Sequence, residues 1–312
     1  MLAATALVRY RVPLVNSNCL NYYGSSIRWL CAPVQKQPDS FFKRTMQGYE
    51  NYLEKNWPKV YKIHRLVVDG TKASVADVKT YYYIRRDLNS GKISLTELSR
   101  PQLQTYIQTH VEFGKIIAIV VFAMLPLAFY LLALGIILLP RYVLTRHFWT
   151  PEQKRQFWID AMNKSANSHF QPLIEQLPKQ SKELHFPLNM NEIKDVKVQP
   201  LDKLDFGQMY RLSRVHRFLP IMPLSNLKWR ANALKHLDAV MEKDLSSLND
   251  MSTDELYTQM FIRCLNFEGL SDDEMRKVLK NWIKNSSNIA SNDSLYIYAP
   301  ILLQYKKKNV NN

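Results

Sequence analysis

The stretch STDELYTQMFIRCLNFEGLSDDEMRKVLKNWI (252–283) holds two Ser-x-x-Glu boxes, Ser252…Glu255 and Ser271…Glu274, each leading into a mixed apolar run. In such a box the serine hydroxyl accepts the backbone N–H three residues on, and the glutamate reaches back to the serine N–H, so two donors of a helix start are satisfied. The stretch therefore predicts two successive helices. The same start signal recurs in Ser99-Arg100-Pro101-Gln102 and in Thr150-Pro151-Glu152-Gln153, the latter with proline where no donor is needed. Ser225 reads as the cap of a long helix that turns Leu227, Ala231, Leu234, Met241, Leu245 and Leu248 inward. Upstream, Phe42, Met46, Tyr49 and Leu53 recur at steps of four, three and four, one helical face. Strand signals are poor throughout. Residues 178–200 read as a polar linker, 285–294 as a low-complexity loop and 295–303 as a short apolar run. The expected fold class is all-α.

Composition excludes several chemistries. The chain has 312 residues and eight glycines, none in G-x-G spacing, which removes the dinucleotide and phosphate loops whose backbone must approach phosphate. Three cysteines, Cys19, Cys31 and Cys264, cannot build a disulfide framework or a four-ligand zinc site. Cys264 reads as a buried structural thiol without a histidine at ligand spacing. The histidines show no H-E-x-x-H pattern, and Asp272-Asp273 sits at a helix N-terminus, where the macrodipole favours acids without catalysis. No enzyme, metal or cofactor is expected.

From Ile116 to Leu139 runs IIAIVVFAMLPLAFYLLALGIILL, uncharged between Lys115 and Arg141. As a helix it reaches about 36 Å, enough to cross a hydrocarbon core of about 30 Å. It predicts a single transmembrane helix over 116–139, kinked at Pro126. The twenty residues after the run hold Arg141, Arg146, Lys154 and Arg155, whereas the twenty before hold only Arg100 and Lys115, so the C-terminal side is expected to be the inner one. His147, Phe148 and Trp149, just past Arg146, read as an anchor at the headgroups. No acid precedes Asp39, while Arg, Ser, Asn and Tyr are scattered over the same stretch, the composition of a mitochondrial presequence over 1–38. The expected organisation is then a leader (1–38), a helical pre-membrane region (39–115), the span (116–139), a helical domain in the matrix (141–303) and a basic tail (304–312).

The net charge of +15, from 42 basic and 27 acidic side chains, points to polyanionic partners. In 203–236, Lys203, Arg211, Arg214, Arg217, Lys228, Arg230 and Lys235 face one acid, Asp205. If 201–219 is a helix, Arg211, Arg214 and Arg217 form one stripe opposite Leu204, Leu212, Val215 and Leu219. Guanidinium groups so placed suit phosphate, in ribosomal RNA or in cardiolipin of the inner membrane.

Three segments resemble the mitochondrial LETM-domain family, relatives of the leucine zipper–EF-hand transmembrane proteins: LSRPQLQTYI (98–107), LLPRYVLTRHFWTPEQK (138–154) and the region 212–283. The resemblance covers roughly 41–303 and implies an inner-membrane protein with a 14-3-3-like, ribosome-binding-like helical domain. The partner so implied is the mitochondrial ribosome, with a role in respiratory-chain biogenesis and mitochondrial structure, alongside assembly machinery or further copies of the chain. The larger relatives imply an alternative, a component of potassium or calcium exchange against protons, here as an oligomer around Pro126. Against that alternative, this sequence has no EF-hand loop, and Phe129 stands where those relatives align a glutamate. A transported cation needs a polar site within the membrane.

Overall fold

The computed structural model describes residues 41–123, 140–182 and 184–306. The expected leader, Pro126 with most of the apolar run, and the tail beyond Lys306 lie outside the described residues. Among the described residues the chain is helical and has no strand. No helix among them is long and apolar enough to cross a membrane.

Helix α1 (Phe41–Asn56) belongs to a unit of its own and carries the predicted Phe42–Leu53 periodicity. The second unit begins at Trp57. Its long α2 (Pro58–Asn89) has proline at the first position, and α3 (Arg100–Ala123) follows. The Ser99 N–H and hydroxyl both donate to the Gln102 side chain at 2.9 Å, so the predicted start of α3 is in place. That helix continues through Lys115 into the apolar run, as expected.

Helix α4 (Pro151–Ser165) opens on the predicted Thr150 box and runs through a π-helical turn (Ala166–Phe170) into α5 (Gln171–Glu175). Pro172 explains the widened turn: it has no N–H to give the carbonyl one turn back, so the ladder changes step before it. Next come α6 (Phe206–Val215), α7 (Pro223–Glu242), α8 (Thr253–Ile262), α9 (Asp272–Ile289) and α10 (Asp293–Gln304). Both serine boxes of 252–283 form, with Glu255 and Glu274 each accepting from the serine N–H.

Four expectations are corrected. The helix foreseen over 201–219 is only α6, because Asp205 caps it by accepting the Gln208 N–H at 2.7 Å and Arg217 turns left-handed (φ 66°) just past its end. Helix α7 starts two residues before Ser225, behind a left-handed Met222, and Leu245 and Leu248 sit on a separate 3-10 turn. The supposed linker 178–200 contains one-turn helices at Lys179–Lys182 and Met190–Ile193 and buries Leu188, Met190, Ile193 and Val196. Most of the supposed loop at 285–294 is helix, with Ser286 and Ile289 of α9 buried and α10 resuming after three residues.

Helix α7 is the axle of the second unit, packing against α3, α6, α9 and α10. Leu227, Ala231, Ala233, Leu234, Leu237 and Met241 on it are all buried. So is Asp238, whose carboxylate takes the Arg263 Nε at 2.7 Å, the Trp282 Nε1 at 2.6 Å and the Tyr296 hydroxyl. The Arg263 guanidinium also donates to the Gln259 side chain at 2.7 Å. Burial, and then the Asp238 charge, push the Tyr296 hydroxyl pKa well up, so it stays a donor. One carboxylate thus joins α7, the residue capping α8, α9 and α10.

The packing also brings together residues from both sides of the apolar run. Residues 57–115 and 140–306 share one unit. Trp229 of α7 donates to the Tyr106 hydroxyl of α3 at 2.8 Å, and Gln259 of α8 donates to Gln104 at 2.9 Å. The Lys115 Nζ lies 3.3 Å from the Arg141 carbonyl, so the chain leaves and rejoins this unit at adjacent points.

The Asp238 cluster makes the first prediction. Replacing Asp238 with Ala strands a fully buried guanidinium and should cost about 3–5 kcal/mol, read as a lower urea midpoint of the full chain in detergent. An unchanged midpoint would show that the cluster does not hold the helices together.

Candidate anion-binding face

The junction residues fold inward onto α2. Gly70, Ser74 and Asp77 fall on one face of that helix, and the 145–148 segment lies along them. Thr145 and Ser74 hydroxyls are 3.2 Å apart. Arg146, only 9% exposed, pairs with both Asp77 and Glu112, and His147 Nε2 sits 2.9 Å from the same Asp77. A buried cation between two carboxylates from different helices fixes where the chain rejoins the unit.

Phe148 packs over Gly70, while Trp149 is buried edge-on against Phe157 at 5.2 Å. His147, Phe148 and Trp149, expected to meet lipid headgroups, therefore contact protein here, His147 through Asp77. The reason is the close approach that Gly70 allows. Of the predicted junction, Arg141 keeps a place beside the apolar run and lies 3.7 Å from Asp160.

The predicted phosphate-binding residues divide into two groups. Arg211, half-buried, and exposed Arg214 stand one turn apart on α6, and exposed Lys228 lies on α7; none of the three has an ion-pair partner among the described residues. Arg217 and Arg230 leave the stripe. The left-handed backbone at 217 swings that side chain against the Phe261 ring, 3.6 Å from its centroid, and onto the Phe261 carbonyl. Arg230 is 1% exposed and donates to the Ile262 carbonyl. Burial lowers the pKa of both, Arg230 to about 10, so each remains a cation at neutral pH. Lys235 is held by Asp293 at 2.6 Å.

These two inward arginines flank Cys264. That thiol is buried, as expected, but His216 Nδ1 lies 3.5 Å from its sulfur, a neighbour that sequence spacing did not reveal. Burial pushes the thiol pKa up, yet the Arg217, His216 and Arg230 charges outweigh it and bring the value down to about 6. A partly ionised sulfur thus compensates two buried cations that have no carboxylate beside them.

Of the outward group, Arg214 borders a cleft of about 440 Å³ between α3, α4, the π turn and α6. Lys115, Arg141, Lys164, Arg214 and Arg217 line it, and its one acid, Glu112, is already bound to Arg146. Burial lowers the Lys115 pKa, with Glu112 opposing the shift. In the same wall Ser165 Oγ and His169 Nδ1 are buried without a hydrogen-bond partner. Burial, then the Arg211 and Arg214 charges, lower the His169 pKa and favour the neutral ring. Lys164, Ser165 and His169 were not legible in the sequence, because the π turn that presents the last of them has no signature beyond Pro172.

An all-α domain with an arginine-lined cleft beside an apolar segment is the class of protein these observations define. The chain belongs to the LETM1-like, RBD family, whose pattern it matches over residues 98–199 and 188–303. It is similar to a LETM1 domain-containing protein 1 from Xenopus tropicalis, 25% identical over 84% of this chain and 82% of that one. Relatives of the same name from Bos taurus and Homo sapiens are 23% and 22% identical, each over 82% of this chain and 78% of the other. No solved structure matches the chain. The resemblance read from 98–107, 138–154 and 212–283 is thereby established as family membership.

Gly70 gives a prediction whose sign is diagnostic. Replacing a mid-helix glycine with alanine ordinarily stabilises by about 0.5–1 kcal/mol. Here the new Cβ would stand 2.7 Å from the His147 carbonyl oxygen, a backbone atom that Arg146 holds in place. The Gly70→Ala chain should therefore unfold at lower urea than the parent, and a raised midpoint would mean that the 145–148 segment is not seated on α2.

Proposed function

We propose that this protein is held at the matrix face of the mitochondrial inner membrane by its apolar segment, and that its helical domain there associates with the mitochondrial ribosome in support of respiratory-chain biogenesis. The observation that carries the reading is membership of the LETM1-like, RBD family over 98–303. Arg211, Arg214 and Lys228, which point outward without ion-pair partners among the described residues, supply the cations for ribosomal phosphate. The acid-poor first 38 residues support import, and the uncharged 116–139 supports membrane attachment.

The contact of Lys115 with the Arg141 carbonyl supports a reading in which both flanks of that segment lie on one face of the bilayer. Two helical crossings of a core of about 30 Å need about 40 residues. The 24 residues from Ile116 to Leu139 are too few, so the segment serves as an insertion from one side. Protease added to mitoplasts should then spare epitopes placed in 90–92 and at Asn312 alike. Cleavage at the first with protection of the second would restore a single crossing.

The ribosome reading is tested by sedimenting solubilised mitochondria with and without ribosome dissociation. The protein should leave the heavy fractions when ribosomes fall apart. If the three outward cations touch single-stranded RNA, a fourfold rise in salt should weaken association roughly 20-fold. Reversal of Arg211, Arg214 and Lys228 to Glu should abolish most of that salt dependence. Sedimentation of the triple variant with ribosomes at parental strength would remove these residues from the contact.

A further inference from the structure

The cleft beside the apolar segment has a construction that ribosome binding leaves unexplained. Its cations come from separate parts of the chain: Lys115 from the end of α3, Arg141 from the rejoining segment, Lys164 from α4 and Arg214 from α6. Neither Lys164 nor Arg214 has an ion-pair partner among the described residues. Like charges gathered round a concavity repel one another, and an anion seated there relieves the repulsion. Ser165 Oγ and His169 Nδ1 in the wall are buried without a hydrogen-bond partner, so a rotation of either side chain toward the cleft would supply a further polar contact. A volume of about 440 Å³ is far larger than a phosphate ion requires and lies within the usual range for organic ligands.

The opposite wall is apolar. Trp149, Phe157, Trp158 and Phe261 line the same cleft, so the occupant has a charged end and a greasy end. Its position selects the source. Lys115 immediately precedes the apolar run and Arg141 follows it by two residues, so the basic rim sits where the chain departs for the bilayer and returns from it.

We propose that this cleft binds the phosphodiester headgroup of an anionic phospholipid. Lys164, Arg214 and Arg141 pair with the phosphate, Ser165 and His169 hydrogen-bond to its oxygens, and the aromatic wall holds the first acyl carbons. The inference rests on the reading of 116–139 as membrane-inserted; it shares Arg214 with the ribosome reading but otherwise uses Lys164, Lys115 and Arg141 of the cleft rather than Arg211 and Lys228.

The test is native mass spectrometry of the full chain in detergent, titrated separately with phosphatidylglycerol, cardiolipin, phosphatidylcholine and inorganic phosphate. The anionic lipids should bind at least about tenfold more tightly than phosphatidylcholine, and phosphate at millimolar concentration should not displace them. Lys164→Glu alters an exposed side chain and should keep the fold, checked by circular dichroism, yet weaken anionic-lipid binding about tenfold. Lys115→Gln should act in the same direction, whereas Lys228→Glu, outside the cleft, should leave lipid binding unchanged. Equal affinity for the zwitterionic lipid, displacement by phosphate, or parental lipid binding by Lys164→Glu would each overturn the site. So would a Lys164→Glu chain that loses ribosomes while keeping its lipid.

Alkaline extraction of membranes tests the insertion separately. A chain released at high pH overturns the insertion and the membrane source of the ligand with it. A chain that stays with the membrane but shows no lipid preference overturns the site alone.

Discussion

The second unit is organised around a buried carboxylate. Asp238 sits near the C-terminal end of α7, the helix that most others touch, and its two oxygens receive donors from Arg263, Trp282 and Tyr296. A carboxylate at 2% exposure is tolerable only when its charge is matched and its lone pairs are filled. That requirement is geometric as well as energetic. Each donor comes from a different part of the chain, so the oxygens fix the order and rotation in which the C-terminal helices close on α7. The surrounding leucines and alanines supply the driving force but would tolerate other arrangements; the hydrogen-bonded carboxylate would not.

A second buried ion group performs the same task at the other end. Arg146 binds Asp77 and Glu112, and so seats the chain just after the apolar run against α2 and α3. Gly70 permits the backbone approach that this seating needs. Together they make the pre-membrane helices and the later bundle one body. The charged cleft is a by-product of that joining, since its cations come from both sides of the apolar segment and meet only because the segment's ends meet.

Charge and burial divide the basic residues more sharply than their numbers suggest. Arg217 and Arg230 face a partly ionised Cys264 and carbonyl oxygens, and act as interior struts. Arg211, Arg214 and Lys228 differ from them in no property that composition records. What separates the groups is position: the left-handed backbone at Arg217 swings its side chain onto Phe261, and Arg230 lies on the buried face of α7 while Lys228 lies on its exposed face.

The sequence by itself determined the helices and where many of them start. The Ser99, Thr150, Ser252 and Ser271 boxes are local, with donor and acceptor three residues apart, so no distant contact is needed to read them. It also determined the family, because the motifs at 98–107 and 138–154 are contiguous. Tertiary structure alone decided which cations face water, that Cys264 lies beside His216, and that Lys115 meets the Arg141 carbonyl. Those outcomes depend on pairs far apart in the chain, such as Arg146 with Asp77 and Lys115 with Arg141. Periodicity and charge counts report what a residue and its near neighbours prefer; they hold no record of which remote group will occupy the space opposite.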